Sequence, residues 1–380
     1  MNQPKIWLSS PHMGGGEEKF VQEAFSSNWI APLGPNVTGF ESDISQYLNP
    51  DKKWETAVLV SGTAAIHLAL RLLDTRPGDY VLVQSFTFCG TTNPVIYEGA
   101  NIVFIDSEPD TWNMCPLALE QAIVTLKDKI IRAIIPVHLY GMPAKMEELL
   151  GVADKYAIPI IEDAAEALGS QYQGRACGTF GTMAALSFNG NKIITTSGGG
   201  ALVSKNNEYI TKAHYLSTQA RDEAPHYQHS QIGFNYRMSN ILAGIGRGQM
   251  EVLELRVQQR RANNVRYREY FDGINGVSFQ TEPDNRFFSN YWLTCILIDP
   301  EKANGINREL VRLKLEENQI DCRPLWKPMH MQPVHNGSLF FGAGHCKKFF
   351  EQGLCLPSGS NLSNEDFERI FNQLDKIFKN

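Results

Sequence analysis

The sequence predicts an α/β chain with a large domain on a mixed, mostly parallel sheet and a smaller C-terminal α+β domain. From about residue 57, short β-branched runs alternate with helical patterns, which argues for a largely parallel sheet covered on both faces. Beyond Gly273 that alternation stops, and one alternating run lies between helical stretches. The chain has 380 residues, 43% of them hydrophobic. At roughly 100–200 residues per domain, that suffices for two cores.

The strands expected in the first part are Ala57–Val60, Tyr80–Gln84, Ile102–Ile105, Ala133–Val137 and Ile158–Ile161. Helical patterns lie between them at Ala64–Leu73, Leu117–Leu126 and Ala144–Tyr156. Ala185–Phe188 and Ala201–Ser204 read as two more strands flanking a polar, glycine-rich turn. One long helix is expected from about Ser239 to Tyr270, rich in Arg, Gln and Glu. A strand Tyr291–Ile298, a helix Asn307–Asn318 and an amphipathic helix Asn364–Phe378 complete the chain. We place the large domain, with its N-terminal segment, at residues 1–250. The small domain follows at 251–380 and opens in the long helix.

Composition removes several classes of function. The formal net charge is −6, from 35 basic and 41 acidic residues mixed along the chain. No basic block offers a surface for nucleic acid or anionic membrane. The start, Met1 to Trp7, lacks the apolar core of a signal peptide. Apolar runs such as Tyr80–Gln84 and Ile130–Val137 are far too short to span a bilayer. Seven scattered cysteines without a C-x-x-C pair argue against a disulfide framework and a zinc site. The expected location is a reducing cytoplasm.

The chemistry gathers around Lys192, in the stretch Ser187-Phe188-Asn189-Gly190-Asn191-Lys192 that runs on to Ser197-Gly198-Gly199-Gly200. Shortly before it, the run Ile158–Ile161 ends in Glu162-Asp163-Ala164-Ala165-Glu166. An acid at a strand end and a lysine in a glycine-rich turn are what a pyridoxal phosphate enzyme needs. The amine forms a Schiff base with the cofactor aldehyde, and Asp163 keeps the pyridine nitrogen protonated. A lone lysine is more often a solvated charge, and Glu162 more simply a local cap or ion-pair partner. Asp163 differs, because an unpaired buried carboxylate costs several kcal/mol and a pyridinium would relieve that cost.

Two further motifs follow strands. Ser61-Gly62-Thr63-Ala64-Ala65 opens the first helix after a strand, where free N–H groups and the dipole bind phosphate. An ordinary helix cap is the bland alternative. Ser85-Phe86-Thr87-Phe88-Cys89-Gly90 stands at another strand's carboxyl end, where ligands gather in parallel sheets. Of its two phenylalanines, Phe88 is preferred for stacking on a flat cofactor ring, a core position being the competing reading. No G-x-G-x-x-G follows a strand, so a nicotinamide fingerprint is missing.

These motifs, with Gly233-Phe234-Asn235-Tyr236-Arg237-Met238-Ser239, appear in an order that resembles the DegT/DnrJ/EryC1/StrS sugar aminotransferases over essentially the whole chain. A narrower resemblance is to the bacillosamine-pathway members that act on UDP-linked 4-keto sugars. It rests on Ser10–Gly15, Ala31–Gly34, Ser217–Arg221, Arg323–Lys327, Met329-His330 and Leu356–Gly359. The resemblance implies a fold-type I aminotransferase acting as a homodimer with shared active sites. It makes Lys192 the Schiff-base lysine, Asp163 the pyridinium partner and Phe88 the stacking ring. Gly62, Thr63 and Ser187 would hold the phosphate, with Asn235 reaching the neighbouring subunit's phosphate. Glu166, Arg221, Arg237, Arg323 and His330 would face the substrate. One departure stands out: where most of the family reads Gly-Glu-Gly-Gly, this chain has Ser197-Gly198-Gly199-Gly200.

The implied reaction is ping-pong amino transfer from L-glutamate to a nucleotide-linked keto sugar. The expected acceptor is UDP-2-acetamido-2,6-dideoxy-4-keto-hexose, aminated at C4, with a dTDP- or GDP-linked 3- or 4-keto sugar as the alternative. A dehydratase on the same fold would carry His in place of Lys192. A non-catalytic scaffold would have little reason to retain lysine, acid and phosphate motifs together.

Overall fold

The computed structural model describes residues 4–48 and 53–379. The first three residues of the segment read above for a leader lie outside them. Helices α1 (Glu17–Ser26) and α2 (Pro35–Leu48) come first. Then β1 (Glu55–Leu59) leads to α3 (Gly62–Leu72), β2 (Tyr80–Gln84) to α4 (Cys89–Tyr97) and β3 (Asn101–Ile105) to α5 (Pro116–Thr125). Strand β4 (Ile131–Ile135) leads to α6 (Met146–Lys155) and β5 (Ile161–Asp163). A hairpin of β6 (Gln171–Tyr172) and β7 (Arg175–Ala176) precedes β8 (Met183–Ser187), β9 (Gly200–Ser204) and α7 (Asn207–Ser217).

Strands β1, β9, β8 and β5 pair in that order. Parallel bridges Ile134–Ile160 and Val137–Asp163 join β5 to β4, which continues into β2 and β3. Among the described residues of this wall, β9 alone runs against the other strands. The sheet is therefore mixed and mostly parallel, as expected.

Side chains alternate across it, as the two-residue strand period requires. Ala57, Leu59, Val81, Val83, Ala185 and Leu202 pack beneath α3 and α7. Val58, Ala184, Leu186, Ala201 and Val203 face α2 and the helices after α7. Leu82, Val103, Ile105 and Ile134 meet α5 and α6. Helices on both faces leave the carboxyl ends of β1, β2, β5 and β8 as the open rim.

The expected long helix is two helices, α8 (Asn240–Met250) and α9 (Leu253–Phe271). The break lies where the N-terminal glycines pack, since a Cβ on Gly14 would come within 2.8 Å of Val252. That contact is tertiary, so helical periodicity could not reveal it. Next come β10 (Val277–Phe279), β11 (Phe287–Phe288) and β12 (Thr294–Ile298). The strand expected from Tyr291 starts at Thr294, because Tyr291 sits at φ 45° and the Asn290 side chain accepts Trp292's N–H at 2.8 Å. Helix α10 (Arg308–Glu317), β13 (Arg323–Pro324), β14 (Leu339–Phe341), α11 (His345–Gln352), β15 (Gly353–Leu356) and α12 (Asn364–Phe378) follow.

The smaller unit is a sheet in the order β10-β12-β15-β13 with α9, α10 and α12 packed on it. Ser363 caps α12 in a reciprocal box with Asp366, which explains why that helix begins where its periodicity does. Two segments cross between the units. Strand β14 pairs in parallel with β3 in the large sheet. Ile6 joins the small core and bridges Ile320. Among the described residues, no helix is long and apolar enough to cross a membrane.

Candidate active site

A cavity of about 870 Å³ opens at the rim. Its floor is Asp163, the last residue of β5, only 5% exposed. The carboxylate is fixed at both oxygens. Thr91 donates its hydroxyl to Oδ2 at 2.6 Å, and the Ala165 N–H reaches Oδ1 at 3.1 Å. The neighbouring Glu162 turns away from the cavity. It accepts the N–H groups of Gly178, Phe180 and Gly181 at 2.6–2.8 Å and pairs with His138 Nε2 at 2.9 Å. His138 Nδ1 accepts the Ala144 N–H at 3.0 Å, so this buried pair braces the strand end and leaves Asp163 as the carboxylate facing in.

Lys192 enters from the loop between β8 and β9. Its turn is closed by its own N–H to Asn189 O at 3.0 Å. The Asn191 carbonyl accepts from Ser9 Oγ and Trp292 Nε1, both at 2.7 Å. Lys192 Nζ lies 4.3 Å from the centre of the Trp292 ring and 3.3 Å from Glu166 Oε1. Burial pushes the Glu166 carboxyl up to about 7, against the opposing pull of Lys192 and the Tyr140 N–H.

The third side is the start of α3. Ser61 caps it by accepting the Ala64 N–H at 3.0 Å, which leaves the N–H groups of Gly62 and Thr63 without intrahelical acceptors. Ser187 lines the same side. The backbones meet so closely here that a Cβ on Gly200 would collide with Gly62 N and Ser61 C. Such a helix start is a ready anion site. Phe86 is wholly buried, whereas Phe88 is 58% exposed and lines the cavity. The core reading therefore applies to Phe86 alone.

The sequence pattern of the DegT/DnrJ/EryC1/StrS aminotransferase family matches residues 11–375. The chain belongs to that family. A Bacillus subtilis (strain 168) relative, EpsN, provisionally named a pyridoxal phosphate-dependent aminotransferase, is 50% identical over 98% of this chain and 96% of its own. The GDP-perosamine synthase of Escherichia coli O157:H7 is 33% identical over 98% of each chain. The PLP-form structure of Spr1654 from Streptococcus pneumoniae, provisionally named a sugar aminotransferase, superposes with a TM-score of 0.89. It is 26% identical and covers 99% of both chains.

As a DegT/DnrJ/EryC1/StrS aminotransferase, the chain uses pyridoxal phosphate, and its donor set fits that group. An amine, a fixed carboxylate, an exposed ring and the free N–H groups of a helix start line one cavity. Lys192, Asp163, Phe88, Gly62, Thr63, Ser187, Glu166 and Arg323 are all brought there. Arg323 also pairs with Asp321 at 3.1 Å.

Four expected residues do not line the cavity within one chain. Asn235 is exposed and bridges Thr218. Arg221 is exposed, with its guanidinium 4.4 Å from the Tyr227 ring. Arg237 is taken up by Glu41 at 2.5 Å and by the Val58 carbonyl at 3.1 Å. His330 bonds Ser85 Oγ at 2.7 Å and stacks on Phe340.

Sequence reasoning missed Thr91, Tyr140, Trp292 and Arg260. The guanidinium of Arg260 is buried and ties the Trp292 carbonyl (2.6 Å) to Ser9 Oγ (2.9 Å), bracing the lysine loop. A hydroxyl at Thr91, four residues after Thr87 at a helix start, was the one available signal. In the departing turn, Ser197 holds φ 72°, a left-handed conformation that glycine adopts more easily.

Proposed function

We propose that the chain transfers an amino group from L-glutamate to C4 of a nucleotide-linked keto sugar. The proposed acceptor is UDP-2-acetamido-2,6-dideoxy-4-keto-hexose. The observation that carries the reading is the convergence of the Lys192 amine and the doubly held Asp163 carboxylate on one cavity. Lys192, Asp163, Phe88, Gly62, Thr63 and Ser187 are the residues that would hold the cofactor. When bound, pyridoxal phosphate supplies a ring that accepts electrons from a carbon losing its proton.

The protein's own groups do the rest. Asp163 keeps a fixed negative charge where a ring nitrogen would need its proton, so no reorganisation is required during reaction. Lys192 Nζ carries the proton between carbon atoms, a task suited to an amine on a flexible stem. The start of α3 would anchor phosphate, and Trp292 and Trp326 line the cavity.

The sugar assignment is supported by the bacillosamine-type segments at both ends of the chain. Ser10, Pro11, Arg323, Pro324 and Trp326 from those segments line the cavity mouth. A guanidinium such as Arg323 suits a diphosphate better than an ammonium does. The GDP-linked name of the Escherichia coli relative favours a GDP-linked sugar as the second reading. We further propose a homodimer with shared sites, in which Asn235 serves the partner's phosphate pocket. Exposed Trp29, Ile30, Leu33, Ile96 and Tyr97 supply apolar surface for a second copy to cover.

The test is incubation with L-glutamate and UDP-, dTDP- and GDP-linked 3- and 4-keto sugars, with products read by NMR. The UDP 4-keto sugar should give the highest kcat/KM and a C4 amine. A clear preference for a GDP, dTDP or 3-keto substrate would overturn the sugar assignment.

A further inference from the structure

Glu166 faces the lysine more directly than it faces the cavity mouth. Oε1 lies 3.3 Å from Lys192 Nζ, while Oε2 accepts the Tyr140 N–H at 2.7 Å. The carboxylate is only 4% exposed. Tyr140 makes that contact from φ 56°, a left-handed conformation disfavoured for a residue with a side chain. It is held there at its other end, because its hydroxyl accepts the Trp326 N–H at 2.9 Å. Strain kept in a fully buried residue marks a geometry that the surroundings enforce. Here the enforced geometry aims one carboxylate at one amine.

We propose that Glu166 is the dock and proton partner of the Lys192 amine whenever that amine is not bonded to the cofactor, with Tyr140 as the residue that positions it. The inference rests on the reading of Lys192 as the cofactor-bearing lysine. The step is a single proton transfer. The N–H bond of the Lys192 ammonium breaks, an O–H bond forms on Glu166 Oε1, and a neutral amine and a carboxylic acid remain. No other reagent is needed. The groups facing Glu166 are Lys192 from the lysine loop, Asp163 from β5, Tyr140 after β4 and Cys295 from β12, with Cys355 of β15 beside Cys295 at 3.8 Å. Lys192 is the cation among them. Burial raises the Glu166 carboxyl toward neutrality, so accepting the lysine proton costs less there than on an ordinary carboxylate. Trp292 lies under the ammonium and adds a cation–π contact to the dock.

The test uses the full chain loaded with pyridoxamine 5′-phosphate, which has no aldehyde and leaves the lysine free. Lys192 acetylation by trace acetic anhydride is followed against pH by peptide mass mapping. With its counter-ion removed in Glu166→Gln, the lysine should titrate at least about one pH unit lower, raising its acetylation near neutral pH about tenfold. Glu166→Asp should restore much of the difference. An unchanged midpoint in a folded Glu166→Gln protein would overturn the proposal. If that variant does not fold, infrared titration of the Glu carboxyls in the native sequence decides. One carboxyl band should titrate near neutrality and move when Lys192 is acetylated; no such band, or one that does not move, would overturn it. Borohydride reduction of the pyridoxal phosphate form separates the underlying reading, which fails if the pyridoxyl group maps to a different lysine.

Discussion

The Thr91 hydroxyl and the Asp163 carboxylate meet at 2.6 Å inside the core, and Thr87 bonds Thr91 in turn at 2.7 Å. Helix α4 thus fixes the acid at the end of β5. Thr91→Val keeps the shape and removes the donor. A hydrogen bond to a charged group contributes about 1.5–3 kcal/mol, which corresponds to roughly 10–100-fold in rate. We expect kcat to fall within that range while the cofactor still binds. Asp163→Asn marks the limit, with a loss of about 10²–10³. Steady-state kinetics on cofactor-saturated Thr91→Val checks this, and unchanged kcat would show the bond to be structural.

How much of this was legible beforehand varies with the range of the interaction. Strand and helix positions followed local pattern, as at Tyr80–Gln84 and in α12, whose Ser363 cap and apolar stripe are both written in sequence. Motifs at strand ends were legible because parallel topology gathers them at one rim. Tyr140, Trp292 and Arg260 were not. Nothing local marks Tyr140 as left-handed, and Arg260 lies in a polar helix that reads as solvated. Its burial depends on Trp292 and Ser9, 32 and 251 residues away in the chain. The break between α8 and α9 was hidden for the same reason.

Glu166 also makes stability depend on pH. Its folded carboxyl is raised to about 7 by burial, above its unfolded value near 4.3. The protonated form therefore favours the fold below the unfolded value, and that contribution is lost as pH rises through about 7. Glu166→Gln keeps a neutral group at every pH. Relative to the native chain, its unfolding free energy should rise between pH 5 and pH 8, by an amount on the order of a few kcal/mol, and its Tm should rise with it. Thermal unfolding of the two proteins across that range checks the slope. A constant or falling difference would show that the ion pair with Lys192 outweighs burial.

Shared sites are testable by complementation. Lys192→Ala chains lack the amine, and Asn235→Ala chains lack the residue proposed to serve the partner's pocket. Mixing the two inactive parents should restore activity, since a hybrid assembles one complete site. Mass spectrometry of intact assemblies establishes subunit exchange. Exchange without regained activity would assign Asn235 to its own chain.

The most direct measurement is borohydride reduction of the pyridoxal phosphate-loaded protein, followed by peptide mapping. The expected result is a pyridoxyl group on Lys192 and none in Lys192→Ala, whose yellow colour should also be lost. Recovery of the adduct on another lysine would contradict the assignment.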